Sequence, residues 1–362
     1  MTRRVLCFSP YPEDGPSVRH RISALRPGFA ADGIELVVWS FMTERLFRIR
    51  RTFGRWRKLE KIFWFGLGTL RLLWRIPFAR GYDVVVIHRE AFPVGPAWFE
   101  ALIAKVNPRL VFDFDDAIWE PPNNPINQRG KLFSPGRVAE IMKRSRAISA
   151  GSAFLAEHAR RHNPRVHLVP TSYPDLGGQA LQREAPAVPV VYWIGNWGNA
   201  LYLELIGDAL AELARRMPYK LRVVGGSDVK EIRLPPDVPI EPLQWDPALE
   251  PEWLMQADIG IMPLPDTAYE RGKCAFKLVQ YMAAGLPVVA SPVGANRDVV
   301  AHGETGFLAD GTAEWVDALQ RLLSDPALRQ RMGRAGHARY HAHYSPEAVQ
   351  RGWREILREV AA

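Results

Sequence analysis

The chain has 362 residues, 47% of them hydrophobic and 24% charged, a balance that excludes a disordered protein and at this length predicts two domains. Its formal net charge is +8, from 47 Lys+Arg against 39 Asp+Glu. That charge indicates a nucleic-acid, membrane-surface or phosphate-bearing partner, depending on where the cations lie.

The N-terminal apolar run and the longest internal one, residues 62–70, are both short. They predict neither a signal peptide nor a transmembrane helix, because a bilayer span needs roughly 18 apolar residues. Cys7 and Cys274 form no CxxC pair, so neither a disulfide framework nor a zinc knuckle is expected.

The first half alternates short β-branched runs with helical patterns. Strands are predicted at residues 5–8, 34–39, 82–87, 110–114, 147–149 and 166–169, and helices at residues 18–31, 98–106, 137–144 and 152–162. This alternation predicts an N-terminal domain at residues 1–172, built on a parallel sheet covered on both faces.

The second half repeats the alternation and predicts a C-terminal α/β domain at residues 190–343. Its strands are predicted at residues 188–194, 221–224, 259–262 and 288–290, and its helices at residues 199–217, 251–256 and 274–284. Residues 173–189, rich in proline and glycine, predict a linker. Residues 312–360 are expected to be helical with breaks at 325–326 and 345–346, and a C-terminal helix within 344–362 is expected to pack back on the first domain.

Residues 271–294 carry the strongest site pattern: a glycine turn, a short helix and a strand entered through proline. Arg271 and Lys273 lie in the loop, and the helix begins with the backbone amides of Cys274, Ala275 and Phe276. Cations and helix-end amides together predict a diphosphate site. Gln280, farther along the helix, is expected to bind ribose hydroxyls. The alternative is an ordinary crossover loop with solvated cations.

Residues 277–294 (KLVQYMAAGLPVVASPVG) strongly resemble the signature of retaining glycosyltransferases of group 1, or family 4. Residues 299–308 and 325–345 are similar to later segments of that family, and residues 16–22 and 86–90 more weakly to earlier ones. The resemblance implies the GT-B fold, two Rossmann-like α/β domains facing each other across a cleft. It also implies a nucleotide-sugar in the C-terminal domain, an acceptor in the N-terminal domain, and no metal or other cofactor.

One departure concerns the family's two glutamates, which have seven residues between them, because Gly272 and Gln280 occupy those positions. Glu270 and Arg271 are the nearest polar substitutes for the donor-sugar contact. The loop after the first strand of the second domain offers Asn196 but lacks the usual basic pair. The cations expected to meet the diphosphate are therefore Lys273 and Lys277, with Arg271 third.

Asp113, Asp115 and Asp116 end an apolar strand. Alone, the pattern resembles the first motif of haloacid-dehalogenase-like phosphatases and predicts a Mg²⁺-dependent phosphatase using Asp113 and Asp115, although Ala117 replaces the usual threonine. A similar stretch occurs in some of the glycosyltransferases named above, where Asp115 or Asp116 would hold acceptor hydroxyls or orient a neighbouring group. Capping of the next loop is the remaining alternative.

His88 and Arg89 follow a strand predicted to be buried, so they emerge at its carboxyl end, where ligands of α/β sheets bind. With the family resemblance, His88 is a candidate catalytic residue, in contact with the donor sugar or acceptor. Arg89 and Arg19 are candidate acceptor or cleft residues. A lone histidine with a purely structural role is the alternative.

Residues 45–80 contain eleven Lys/Arg and one Glu, a net charge of +10. Arg55, Lys58 and Lys61 are interleaved with Trp56 and Trp64, a pattern typical of a helix in an anionic membrane interface. A nucleic-acid patch and a helix packed on its own domain are the alternatives.

The sequence thus predicts a cytoplasmic enzyme, peripheral on the inner face of the cell membrane: a retaining, metal-independent, hexosyltransferase-type glycosyltransferase. It would move a sugar from a nucleotide-diphosphate sugar to a sugar or lipid-linked acceptor, in cell-surface polysaccharide or glycolipid synthesis. No nucleic-acid partner is expected. The alternatives are the phosphatase and a non-enzymatic polyanion-binding protein acting through residues 45–80.

Overall fold

The computed structural model describes residues 3–50, 52, 54–121, 134, 136–184, 186–225 and 232–361, which form two compact α/β units. Unit 1 comprises the described residues up to 172 together with residues 346–361. Unit 2 comprises the described residues from 173 to 345.

Unit 1 is built on a parallel sheet of six strands in the order β2-β1-β3-β4-β5-β6. The strands are β1 (Arg3–Ser9), β2 (Ile34–Ser40), β3 (Val84–His88), β4 (Leu110–Phe114), β5 (Ala147–Ala150) and β6 (Val166–Leu168). Every residue of β3 and β4 is buried, because helices cover both faces of the sheet. The predicted strands of this half are confirmed.

The helices of unit 1 up to residue 172 are α1 (Pro16–Arg21), α2 (Arg26–Ala31), α3 (Glu44–Ile49), α4 (Arg55–Arg75), α5 (Trp98–Val106), α6 (Gly136–Arg144) and α7 (Ala153–Arg160). The predicted helix at residues 18–31 is divided, because a 3₁₀ turn at Ser23–Leu25 separates α1 from α2. Pro27 begins the second piece, since it lacks the amide that a continuous helix needs.

Unit 2 has a second parallel sheet of six strands, in the order β12-β11-β10-β7-β8-β9. Its strands are β7 (Val190–Ile194), β8 (Lys220–Gly225), β9 (Ile240–Gln244), β10 (Ile259–Met262), β11 (Val288–Ala290) and β12 (Gly306–Leu308). The sequence does not predict the two edge strands. Pro242 interrupts the pattern of β9, as proline does at sheet edges, and β12 has only three residues.

The helices of unit 2 are α8 (Trp197–Ala200), α9 (Gly207–Arg216), α10 (Glu250–Met255), α11 (Ala268–Arg271), α12 (Phe276–Ala284), α13 (Asn296–Val299), α14 (Gly311–Ser324) and α15 (Pro326–His343). The predicted helix at residues 199–217 is interrupted by a 3₁₀ segment, Leu201–Ile206, and resumes at Gly207. Glycine is a poor interior helix residue, which favours a new start there.

Residues 173–189, predicted as a linker, belong to unit 2. Tyr173 is buried, its hydroxyl donates to Glu250 Oε1 at 2.8 Å, and its carbonyl accepts from the Tyr340 hydroxyl at 2.7 Å. The proline and glycine content of the segment accounts for its irregular backbone. Its buried Tyr173 holds the segment against unit 2.

The last helix, α16 (Pro346–Ala361), belongs to unit 1. Trp353 is buried and its ring meets Phe29 edge-on, with centroids 6.3 Å apart. Arg354 donates to both carboxylate oxygens of Asp32, at 2.7 and 2.9 Å. The apolar stripe of α16 thus completes the core of a sheet formed far earlier in the chain.

Helix α12 lies against β10 through one close contact. Tyr281 is fully buried and its ring covers the backbone of Gly260, where an added Cβ would stand 2.2 Å from the ring. The Tyr281 hydroxyl donates to the carbonyl of Ile261 at 3.2 Å. The missing side chain at residue 260 therefore sets how close α12 lies to the sheet.

Gly260→Ala is expected to destabilise the protein by about 1–3 kcal/mol, because the new methyl group displaces a buried ring. Urea denaturation followed by tryptophan fluorescence measures the change. Gly66→Ala is the matched control: Gly66 lies inside α4 with no atom near its missing Cβ, so alanine should stabilise by about 0.5–1 kcal/mol. Equal stability of wild type and Gly260→Ala contradicts the packing described for α12.

Candidate functional site

The first candidate site lies at the carboxyl ends of β3 and β4 in unit 1. His88 ends β3 and stands beside Asp113 of β4 in the strand register, and both side chains are fully buried. Ser17 and Arg21 come from α1. The site is called the His88 cluster and consists of Ser17, Arg21, His88, Arg89, Asp113, Asp115 and Asp116.

A continuous chain of hydrogen bonds crosses the His88 cluster. Arg21 Nε donates to both oxygens of Asp113, at 3.0 and 2.9 Å. Asp113 Oδ2 lies 2.7 Å from His88 Nδ1, and His88 Nε2 lies 2.7 Å from Ser17 Oγ. Ser17 Oγ also donates to Asp115 Oδ2 at 3.0 Å. The histidine ring is therefore held at both nitrogens.

The electrostatics of the cluster keep its carboxylates ionised. Burial alone would raise the pKa of Asp113, but Arg21 and His88 outweigh it and hold that pKa below the usual value. Burial likewise opposes ionisation of Asp115, whose pKa Arg89 and His88 lower well below the usual range. Because Asp113 is a carboxylate facing Nδ1, this nitrogen carries a proton.

The Ser17 hydroxyl has one proton and two neighbours that can accept it. When it donates to Asp115, His88 Nε2 must donate to Ser17, and the ring is an imidazolium. When it donates to Nε2, the ring is neutral. The direction of the Ser17–His88 hydrogen bond thus depends on which of the two neighbours accepts the serine proton.

Arg89 holds the two following carboxylates. Its Nε donates to Asp115 Oδ1 at 2.6 Å and its Nη2 to Asp116 Oδ2 at 2.5 Å. Burial would lower the pKa of Arg89, but Asp115 and Asp116 raise it well above the ordinary value. Asp115 and Asp116, predicted as catalytic, are thus paired with a guanidinium in the structure. Arg19, two residues after Ser17, donates to the ring of His20 at 2.9–3.2 Å.

These contacts contradict the phosphatase hypothesis. Asp113 is fully buried and its oxygens accept from Arg21 and His88, so it is neither an accessible nucleophile nor a Mg²⁺ ligand. Asp115 accepts from Arg89 and Ser17. Side chains of the protein therefore already bond the carboxylate oxygens of both aspartates.

The second candidate site is the loop before α12 in unit 2. The helix begins after Ala275, whose φ of 51° lies in the left-handed region, and no side chain among the described residues caps this helix start. Arg89, with φ of 61°, is the other non-glycine residue of the described chain with positive φ. Such backbone is costly and concentrates at functional sites, so the strain marks both candidate sites.

Two lysines stand at this helix start. Lys273 Nζ lies 5.0 Å from the centre of the Tyr269 ring, and Lys277 Nζ lies 5.4 Å from that of Trp193. Lys277 passes close to Gly195, where an added Cβ would stand 3.0 Å from its Cε. Gly195 thus leaves room for the lysine beside the end of β7. Lysines and backbone amides at one helix end are groups that can bind an anion, and the diphosphate site at this loop stays a prediction.

Other predicted residues of this loop have internal partners. Glu270 is fully buried and accepts from the hydroxyls of Tyr202, at 2.5 Å, and Thr267. Arg271 is exposed and donates to both oxygens of Asp266, at 2.5 and 3.1 Å. The structure therefore gives Glu270 a role in holding the loop and pairs Arg271 with a carboxylate. Gly272, Cys274 and Ala275 are buried, and Phe276 begins α12.

Gln280 is buried rather than open to a ligand, because its amide donates to Glu250 Oε1 at 2.9 Å. Glu250 also accepts from the Tyr173 hydroxyl at 2.8 Å and from Trp245 Nε1 at 2.5 Å. Sequence reasoning missed Glu250, which lies 30 residues from Gln280 and has no motif of its own. Asn196, in the loop after β7, is exposed and caps α8 by accepting from the amide of Asn199 at 3.1 Å.

Sequence reasoning also missed Ser17 and Arg21, although both lie in the residue 16–22 segment whose resemblance was noted. Their position could have indicated a role, because they lie at the start of the first helix after β1, and ligands of parallel sheets bind at the carboxyl ends of the strands. Only the fold shows that this helix faces His88.

Helix α4 has two apolar faces. Toward the unit, Leu72 is buried and Phe65 packs on Phe41, with ring centroids 5.0 Å apart. Away from it runs the outer stripe, at three- and four-residue spacing: Trp56, Leu59, Phe63, Leu67, Leu70 and Trp74. Trp56 is 82% exposed and Trp74 68%, so this stripe is not covered by unit 1.

The predicted membrane residues fall on different sides of α4. Arg55, Trp56 and Lys58 are exposed. Lys61 donates instead to the carbonyls of Arg50 and Thr52, at 2.9 and 2.7 Å, and Trp64 is half-buried. In the described part of the chain, no helix combines the length and the apolar character that crossing a bilayer requires.

Comparison with known proteins identifies relatives of the second half of the chain. Residues 188–325 match the sequence model of the family Glycosyl transferases group 1. A curated relative, the D-inositol 3-phosphate glycosyltransferase of Pseudarthrobacter chlorophenolicus, is 38% identical over 101 residues, which cover 26% of this chain and 23% of the relative. The matched region thus spans less than a quarter of that relative's length.

Solved structures match the whole chain. A glycosyltransferase from Rickettsia africae superposes with a TM-score of 0.69 at 14% identity, over 99% of this chain and 98% of that one. Anabaena HepE, solved with UDP and glucose, superposes with a TM-score of 0.67 at 13% identity, over 99% and 100% of the two chains. At such identities the likeness shows the fold. Residues 188–325 therefore match the group 1 glycosyltransferase family, and the chain as a whole has the two parallel-sheet α/β units of GT-B glycosyltransferase structures.

Proposed function

We propose that this protein is a retaining, metal-independent glycosyltransferase that transfers a sugar from a nucleotide-diphosphate sugar to an acceptor hydroxyl. The observation that carries the proposal is the start of α12, where Lys273, Lys277 and the first helix amides stand together beside a left-handed Ala275. The group 1 family match over the same residues supports it.

The chemistry assigned to this site is stabilisation of a leaving group. The bond from the sugar's anomeric carbon to the diphosphate oxygen breaks, the acceptor oxygen bonds to the same face of that carbon, and its proton passes to the leaving phosphate. Negative charge builds on the diphosphate in the transition state, where two lysines and the positive end of a helix stabilise it most. No covalent nucleophile is assigned.

The His88 cluster is proposed to serve the other half of the reaction, contact with the transferred sugar or the acceptor. His88 is fully buried and held at both nitrogens, so it acts as a positioning residue that fixes the Ser17 hydroxyl. Arg89, Asp115 and Asp116 then act as positioning residues at the edge of that site.

The donor and acceptor are chosen for testing from the comparison proteins. HepE was solved with UDP and glucose, and the curated relative is named for transfer to D-inositol 3-phosphate. UDP-sugars are therefore the first donors to test, with phosphorylated polyols and lipid-linked sugars as acceptors. Cell-surface polysaccharide or glycolipid synthesis is the proposed setting.

We further propose that the enzyme is cytoplasmic and docks on the inner face of the membrane through the outer stripe of α4. The stripe exposes two tryptophans and a phenylalanine, and Arg55 and Lys58 lie on the same helix. Aromatic side chains suit the headgroup region and cations suit the anionic inner leaflet. Because the family match favours an enzyme, this face is assigned to acceptor access rather than to non-enzymatic polyanion binding.

Lys277→Ala and Lys273→Ala are each expected to lower kcat/KM for UDP-sugar hydrolysis by about 100-fold, the effect of losing one charge-stabilising donor. Product UDP, measured by a coupled assay, reports turnover across a panel of UDP-sugars. Arg271→Ala is the matched control. Its kcat/KM should decrease much less, because the guanidinium of Arg271 is already paired with Asp266. Unchanged turnover in both lysine variants would contradict the assignment of Lys273 and Lys277 to the diphosphate site.

His88→Ala is expected to lower sugar transfer by about 100-fold while leaving UDP affinity unchanged, because the cluster belongs to unit 1 and the proposed nucleotide site to unit 2. Transfer is measured by product mass, and UDP affinity by calorimetry. His162→Ala, a histidine outside the cluster, should behave as wild type. Mg²⁺-dependent phosphatase activity abolished by Asp113→Asn contradicts the proposed function.

The wild-type protein is expected to float with vesicles of phosphatidylcholine containing phosphatidylglycerol. Replacing Trp56, Phe63 and Trp74 together by serine should weaken binding by more than about tenfold, since each buried aromatic side chain contributes about 1.5–3 kcal/mol. Trp98→Ser is the control, because Trp98 is 73% exposed on α5, a different helix. Absence of wild-type flotation with anionic vesicles refutes membrane docking.

A further inference from the structure

Two histidines and a carboxylate meet on the surface of unit 2, outside the proposed donor site. His337 and His341 are one turn apart on α15, so their side chains share one face of the helix. Asp175 lies in the first residues of the unit. These three residues are called the Asp175 site.

The geometry of the Asp175 site allows its three residues to share one metal ion. Asp175 Oδ1 lies 3.1 Å from His337 Nε2, and Asp175 Oδ2 lies 3.4 Å from His341 Nε2. One ligand atom from each residue can be chosen so that all three lie within 4.8 Å of one another. Zn²⁺ bonds of 2.0–2.1 Å in a tetrahedron place ligand atoms about 3.3 Å apart.

The surrounding contacts hold the ligands in place. Asp175 Oδ1 accepts from the amide of Gly177 at 2.8 Å. Tyr340 is fully buried, its ring lies parallel to that of His337, and its hydroxyl fixes the carbonyl of Tyr173 just before Asp175. Supporting contacts of this kind orient ligands before the metal arrives.

The site is also open to solvent. The side chains of His341 and Asp175 are 48% and 41% exposed, whereas His337 is only 19% exposed. A metal ion can reach the site without local unfolding, and the exposed side leaves one coordination position for water. Two imidazoles and a carboxylate are a ligand set typical of zinc.

We propose that Asp175, His337 and His341 bind a divalent transition metal ion, Zn²⁺ in the first place. The ion would join the two ends of unit 2, because Asp175 is the third residue of the unit and His341 lies four residues before its last. A cross-link between chain ends stabilises the folded unit by restricting the unfolded chain. It takes no part in sugar transfer.

The test uses the full-length protein without a histidine tag. Calorimetry with Zn²⁺ measures affinity, thermal unfolding with Zn²⁺ and with EDTA measures stabilisation, and visible absorption of bound Co²⁺ reports a tetrahedral site. Wild type is expected to bind one ion and unfold at a higher temperature with Zn²⁺. Each ligand substitution should weaken Zn²⁺ binding at least about tenfold and remove the absorption bands of bound Co²⁺. The three variants are His337→Ala, His341→Ala and Asp175→Asn.

His343→Ala is the matched control, because His343 ends the same helix without belonging to the site, and it should bind Zn²⁺ as wild type does. Equal unfolding temperatures of all variants in EDTA show that the substitutions leave the fold intact. His341 is half-exposed, so its variant remains informative if His337→Ala is destabilised. No saturable Zn²⁺ binding by wild type, or the same affinity in His341→Ala, overturns the proposal.

Discussion

The pairing of Arg21 with Asp113 is the contact on which the unit 1 site depends. Both side chains are almost completely buried, and the guanidinium also donates to Ser149, Thr171 and the carbonyl of Val169. Hydrogen bonds from all three guanidinium nitrogens satisfy a charge that would otherwise be very costly inside a protein. By holding Asp113 ionised and fixed, Arg21 determines the orientation of the His88 ring without touching it.

The two sites share a second constraint, the backbone strain at Arg89 and Ala275. A non-glycine residue in the left-handed region costs roughly 1–2 kcal/mol, and each is held there by its neighbours. At Arg89 the amide donates to the carbonyl of Asp113 and the side chain binds two carboxylates. At Ala275 the strain sets how α12 begins, and so which amides the helix end presents.

The sequence predicted the central strands and helix α12 because local signals define them. Buried parallel strands are continuous apolar runs, and the α12 segment has its glycine turn and two lysines within a few residues. Contacts between residues far apart in the sequence could not be predicted from it. Gln280 gave no indication that it faces Glu250, and Glu270 appeared as an available carboxylate although Tyr202 and Thr267 bind it. In α4 the sequence shows one basic segment rich in aromatic residues. Which of its apolar residues face unit 1 and which form the outer stripe is known only from the structure.

The position of α16 has a consequence for how the protein is made. Unit 1 begins the chain, yet its core needs Trp353, Ile356 and Val360 from the last helix. During synthesis, domains fold as units once their residues have emerged. Residues 173–345 of unit 2 are therefore synthesised between the sheet of unit 1 and the helix that completes its core, and part of the apolar surface of that sheet stays uncovered until α16 has been made. The unit whose sheet is made first thus depends on a helix made after the other unit, and the interval between them is the stage at which its uncovered apolar surface can aggregate or bind chaperones.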